Sequence, residues 1–409
     1  MKYNTHVLGN GLRVIHLASA SPVVYCGYAV GAGTRDELPG EEGLAHFCEH
    51  MTFKGTARRR SMQVLNCLES VGGDLNAFTN KEDTVFHAAI LREHLPRAVD
   101  LLTDIVLHST YPEAELEKEI EVVCDEIECY NDSPAELIYD RFENIVFGGH
   151  PLGHNILGTQ ERLRGFTRGD VEGFTRRHYR PENAVFFAYG DICFDRLVRL
   201  LEKATAGFPQ CAPRRVAPRD VVVPEYMPRE ETVERGTHQA HVMLGCRAYD
   251  VHDARRFTLY LMNNILGGPG MNARLNIALR EKHGLVYTVE SSMVSYSDTG
   301  MWCAYFGCDP HDVSKCRRLV MRELDKLASK PLSAAAIAAA KRQIKGQIGV
   351  ACDNRESFAL DFGRSYLHHG IEKDVARLMA RVDEVTAEGM QAVAQDVFRK
   401  DRLTTLMFV

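Results

Sequence analysis

No run of 18 apolar residues occurs anywhere in the 409-residue chain, which argues against a membrane-spanning helix. The opening stretch, MKYNTHVLGNGLRVIH, has one early lysine but no uninterrupted apolar core. It does not read as a secretory signal, and the expected compartment is the cytoplasm. A CxxC pair is also missing, although there are 12 cysteines, so neither a zinc knuckle nor a dithiol redox motif is indicated. Scattered cysteines in a reducing compartment are read as small core residues. There is no excess of basic charge either: the net charge is −6, which argues against a nucleic-acid partner. The short run Arg58 to Arg60 reads as a solvated loop or helix start.

What is present is ordinary for a globular protein, with 45% hydrophobic and 25% charged residues. A chain of this length exceeds one compact core, so two or more domains are expected. Residues 212–230 carry Pro213, Pro218, Pro224 and Pro228 among charges, without helical or alternating period, and read as a linker. This gives an N-terminal domain at 1–211 and a C-terminal domain at 231–409. Each half contains a helix followed by a hairpin of β-rich runs, at residues 72–90 and 284–306. The expected fold is α+β, with two related domains, each a mainly antiparallel sheet with helices packed on one face.

The stretch GLAHFCEHMTFKGT, residues 43–56, concentrates the chemistry. Leu44, Phe47, Cys48 and Met51 make a helical core stripe, while His46, Glu49, His50 and Phe53 repeat the spacing on roughly the opposite side. Imidazoles four apart on a helix can reach one zinc ion. Glu49 stands beside them, placed to take a proton from a water that the ion has acidified. The bland alternative is a wet helix face. A catalytic site needs a third protein ligand and keeps one position open. The segment EAELEKEIEVVCDEIECY, residues 113–130, has a core stripe of Leu116, Ile120, Val123, Ile127 and Tyr130. Glu119, Val122 and Glu126 form the neighbouring half-buried stripe, so either glutamate is a candidate ligand.

These segments, with LESVGGDLNAFTNKEDTVF, HPLGHNILGTQE and REKHGLVYTVESS, resemble the pitrilysin/insulinase family of zinc metallopeptidases, the inverzincins. The likeness runs over nearly the whole chain and is strongest to the short-chain branch related to mitochondrial processing peptidase. In that pattern a glutamate about 76 residues after the second histidine completes the site, which selects Glu126. The resemblance makes His46, His50 and Glu126 the ligands of one zinc per chain, with Glu49 the general base. Glu119 matches the accompanying glutamate that orients the site. Arg280 and Tyr287 match a pair seven apart that assists the reaction, the tyrosine supporting the developing oxyanion. Asn76, Ala77 and Phe78 match an edge strand that receives extended peptide through its backbone.

Some positions depart from the family. The glycine-rich loop reads GGPGMNARL, with Pro269, Asn272 and Ala273, and His283 stands where another basic residue is commoner. The loop lacks GxGxxG and does not open a βαβ unit, so it is not a phosphate cradle. His87, His150, His154, His238 and His241 read as structural. The expected function is zinc-dependent cleavage of extended or unfolded peptides inside a homodimeric chamber, with no nucleic-acid or membrane partner. The alternatives are a dedicated maturase for a leader peptide and a non-catalytic scaffold. Retention of HxxEH speaks against the scaffold.

Overall fold

The computed structural model of the chain describes residues 2–214 and 224–409. Of the expected linker, positions 215–223 lie outside the described residues. The chain divides into two compact units. The first comprises Met1–Glu128, His154–Ala217 and Ala351–Asp374; the second comprises Cys129–Gly153, Pro218–Val350 and Val375–Val409.

The first unit is built on six strands: β1 (Tyr3–Val7), β2 (Arg13–Ala18), β3 (Val23–Val30), β4 (Asp74–Thr79), β5 (Thr84–Leu91) and β6 (Ala184–Gly190). Their order is β1-β2-β6-β3-β5-β4, and every pairing is antiparallel except β2 with β6. The second unit holds β7 (Glu230–Val233), β8 (Ala240–Ala248), β9 (Val286–Ser295), β10 (Gly300–Cys308) and β11 (Thr404–Phe408), in the order β7-β11-β8-β10-β9. Here only β7 and β11 run parallel. Apart from β1, the two sheets share one topology, and both expected hairpins, β4–β5 and β9–β10, occupy the same edge of their sheets.

Alternation along the strands gives each sheet two apolar faces, and both need cover. In the first unit one face packs Val24, Cys26, Tyr28, Phe86 and Phe186 into the main core, beneath the helices Leu44–Thr52 and Leu95–His108. The opposite face carries Phe187 and Tyr189. It is covered by the helix Arg355–His369, whose Phe358 and Phe362 meet those rings edge to face. The approach is close enough that a Cβ at Gly363 would fall 2.6 Å from the Phe187 ring. The second sheet is covered twice as well. Trp302 packs on Phe398 on one face, while the helix Pro134–Val146 lays Leu137, Ile138 and Phe142 against Met243, Cys303, Tyr305 and Leu406 on the other.

These covers explain why the units depart from boundaries at 211 and 231. Residues 129–153, from the N-terminal half, belong to the second unit, and residues 351–374, from the C-terminal half, belong to the first. The expected layer of helices on one face is there; the other face is closed by a helix supplied from the other half of the sequence. No helix among the described residues is long and apolar enough to cross a membrane.

Candidate metal centre

The motif helix runs Leu44–Thr52, with Leu44, Phe47, Cys48 and Met51 fully buried as the periodicity requires. It starts at Gly43, whose φ of 99° is left-handed, and a Cβ there would fall 2.7 Å from the Leu157 carbonyl oxygen. Glycine is required on both counts. The free N–H groups of the first turn are met by Glu37, whose carboxylate accepts from Gly43 at 3.1 Å and Ala45 at 2.7 Å. A carboxylate there also suits the positive end of the helix dipole. His154 Nε2 donates to Glu37 at 2.7 Å, and the His154 carbonyl accepts from Lys81.

The face opposite the core stripe is not wet. His46 and Glu49 are only 8% and 7% exposed, because the acidic helix Glu113–Asn131 and the end of β4 wall it in. His50 Nε2 lies 3.4 Å from Glu126 Oε2, and His46 Nε2 lies 3.8 Å from Glu126 Oε1. The ligand atoms of His46, His50 and Glu126 all fall within 4.8 Å of one another. Bonds of about 2.0–2.1 Å around a tetrahedral ion put neighbouring ligand atoms roughly 3.3–3.4 Å apart, so two imidazoles and one carboxylate at these spacings fit zinc. A second trio, Asp309, His311 and Asp312, gathers as tightly in the second unit, but Asp309 and His311 are exposed.

Electrostatics separate the two histidines. Burial, aided by the charge on His50, pushes His46 down to about 4. Burial also works against a charged His50, yet hydrogen bonds to Glu119 and Glu126 outweigh it and lift His50 to about 9. The His50 hydrogen bond holds Glu126 below the usual carboxylate range. Glu49 is raised, first by burial, against the lowering effect of the Thr79 hydroxyl. That hydroxyl donates to Glu49 Oε2 at 2.6 Å and so fixes the carboxylate from the end of β4.

Glu119 approaches His50 from the other side of the ring, accepting from Nδ1 at 2.9 Å. A carboxylate on one imidazole nitrogen leaves the other to bind metal. The second Glu119 oxygen meets Lys54. Lys54, Thr79 and Glu37 escaped the sequence reading. For Lys54 a signal existed: with His46 and His50 it continues a four-residue spacing along one helix face.

Asn76, Ala77 and Phe78 lie on β4, which among the described residues pairs only with β5 and leaves its outer edge open. Asn76 is exposed, and its Oδ1 accepts the Ala77 N–H at 2.9 Å. Arg280 and Tyr287 belong to the second unit. Arg280 sits in a π-helical turn, Asn276–Glu281, and pairs with Glu281 at 3.0 Å. Tyr287 projects from the edge strand β9 and is 86% exposed.

Comparison with known proteins gives a consistent picture. Residues 13–160 match the family described as insulinase (peptidase family M16), and residues 165–344 match the peptidase M16 inactive domain. The zinc protease YmxG of Bacillus subtilis is 31% identical over 97% of this chain and 96% of its own. The mitochondrial-processing peptidase subunit beta of Rattus norvegicus is 31% identical, covering 94% of this chain and 80% of its own. A protease from Helicobacter pylori superposes with a TM-score of 0.90 at 21% identity, over 100% of this chain and 99% of that one.

Proposed function

The chain belongs to the insulinase family of peptidases, peptidase family M16, and on that premise we propose that it is a zinc-dependent endopeptidase acting on extended or unfolded peptides. One observation carries the reading: a buried and a half-buried imidazole and a carboxylate converge at metal-ligand spacing next to a buried, fixed glutamate. His46, His50 and Glu126 would hold one ion per chain. When bound, zinc would polarise the scissile carbonyl and acidify a water.

The remaining chemistry falls to the protein. Glu49, raised by its burial, takes the proton of the attacking water and delivers it to the departing amine nitrogen. Thr79 keeps one Glu49 oxygen occupied, which leaves the other for the reacting atoms. The open edge of β4 receives substrate backbone as an added strand, which requires a segment free of its own pairing. Tyr287 donates to the developing oxyanion with Arg280 beside it, in the roles that the resemblance gives them. The working assembly is a cytoplasmic homodimer in which these two residues serve the partner subunit's zinc site. Similarity to a mitochondrial-processing peptidase subunit favours a narrower version, removal of a leader peptide.

The test is cleavage of an unstructured peptide alongside a zinc determination. Wild type should carry one zinc per chain and lose activity to a chelator. Glu49→Gln should keep its zinc and lose about 10²–10⁴ in turnover. Retention of most activity by that variant would remove Glu49 from the base role. Cutting a folded protein as fast as its denatured form would remove the extended-peptide reading.

A further inference from the structure

We infer that Lys54 is a positioning residue of the metal centre, acting through Glu119 to fix the ring of His50. The inference rests on the zinc reading above and adds a component to the same site.

Two helices face each other here with matched spacing. His46, His50 and Lys54 follow one another at four-residue intervals, one turn apart, along or just past the motif helix. Glu119 and Glu126, two turns apart, line the acidic helix. Glu126 reaches both histidines, at 3.8 Å and 3.4 Å; Glu119 reaches His50 at 2.9 Å and, with its other oxygen, Lys54. The contacts form a ladder in which Lys54 is the last rung. It is also a sheltered one, since the Glu119 side chain is 6% exposed and that of Lys54 is 24% exposed.

Glutamate has three rotatable side-chain bonds, so a single contact with His50 leaves its carboxylate free to swing. The Lys54 ammonium removes that freedom by seizing Oε2, which leaves Oε1 on His50 Nδ1. When His50 loses a proton to bind metal, the one that stays is on Nδ1 against Glu119, so Nε2 is the nitrogen offered towards Glu126 and His46. Removing Lys54 leaves a nearly buried carboxylate oxygen without its cation, and the carboxylate reorients to find another partner.

The experiment measures zinc affinity of the full-length protein by competition with a chromophoric chelator, with no turnover involved. Lys54→Met should weaken zinc binding by about 10–100-fold, the range expected for loss of an outer hydrogen-bonding partner. Glu119→Gln should weaken it similarly, and the double variant should bind no more than about threefold worse than the weaker single variant, because one chain of contacts has been cut twice. Lys54→Arg, which keeps a cation in reach, should restore affinity to within about threefold of wild type and restore the cobalt-substituted absorption spectrum. Unchanged affinity in a folded Lys54→Met, or losses that multiply in the double variant, would overturn the inference while leaving the zinc reading in place. A wild-type protein that binds no zinc would overturn the zinc reading itself, and this inference with it.

Discussion

Asp83 offers a measurement of how the first unit is locked. It lies in the turn between β4 and β5, fully buried, and receives His368 Nε2 at 2.6 Å, Arg364 Nε at 3.0 Å and Asn80 Nδ2 at 2.7 Å. His368 and Arg364 come from the helix that covers the outer sheet face. Burial on its own would raise the Asp83 carboxyl; the His368 hydrogen bond and the Arg364 charge overcome it and hold the group at about 2, against an ordinary 3.8. At about 1.4 kcal/mol per pH unit, that gap corresponds to about 2 kcal/mol of native-state stability. A carboxyl depressed by folding stabilises above its unfolded value, so the contribution is whole at neutral pH and is lost as pH falls from about 4 to about 2. Asp83→Asn should therefore lose about 2 kcal/mol in urea unfolding at pH 7, followed by far-ultraviolet circular dichroism. The difference from wild type should close progressively below pH 4. A variant as stable as wild type at pH 7, or a gap that persists undiminished to pH 2, would refute the reasoning.

Further outcomes follow from the metal centre. With His50 lifted to about 9 and His46 lowered to about 4, binding zinc at pH 7 should release about one proton, the one on His50. Calorimetry in buffers of different ionisation enthalpy measures it, and an enthalpy independent of buffer contradicts the assignment. Glu126→Gln should weaken zinc binding by removing the anionic ligand; full occupancy with normal activity would move that role to another residue. Subunit mixing tests the shared site: His46→Ala and Tyr287→Phe homodimers, each nearly inactive, should recover roughly a quarter of wild-type activity on exchange, since about half the dimers are mixed and each has one intact site. No recovery would place both elements in one chain's site.

Legibility in the sequence divides along physical lines. Helical period reports which residues share a face, and it correctly assigned Leu44, Phe47, Cys48 and Met51 to the core. It also put Glu119 and Glu126 on one stripe but could not choose between them, because a period carries no information about a helix 70 residues away. The structure distinguishes them by which side of the His50 ring each one meets. Thr79 on Glu49 and Glu37 on the motif helix are likewise contacts between residues distant in sequence, with no local pattern to announce them. The compact units differ from the expected domain boundaries for a related reason. Proline and charge mark where a chain is extended, yet Phe358 and Phe362 look like any helix stripe until Phe187 and Tyr189 are seen beneath them.

The borrowed cover has a consequence for the chain as it is made. About 165 residues separate the end of β6 from the helix that closes the first sheet's outer face. At roughly 5–20 residues per second, a ribosome takes on the order of ten to thirty seconds to supply them. A first sheet that pairs its strands within that interval would present Phe187 and Tyr189 on an uncovered β surface, the kind of exposure that recruits chaperones or drives aggregation. Truncation anywhere before residue 355 leaves the surface open permanently, so a fragment ending in the central linker should be insoluble even though it contains every proposed zinc ligand.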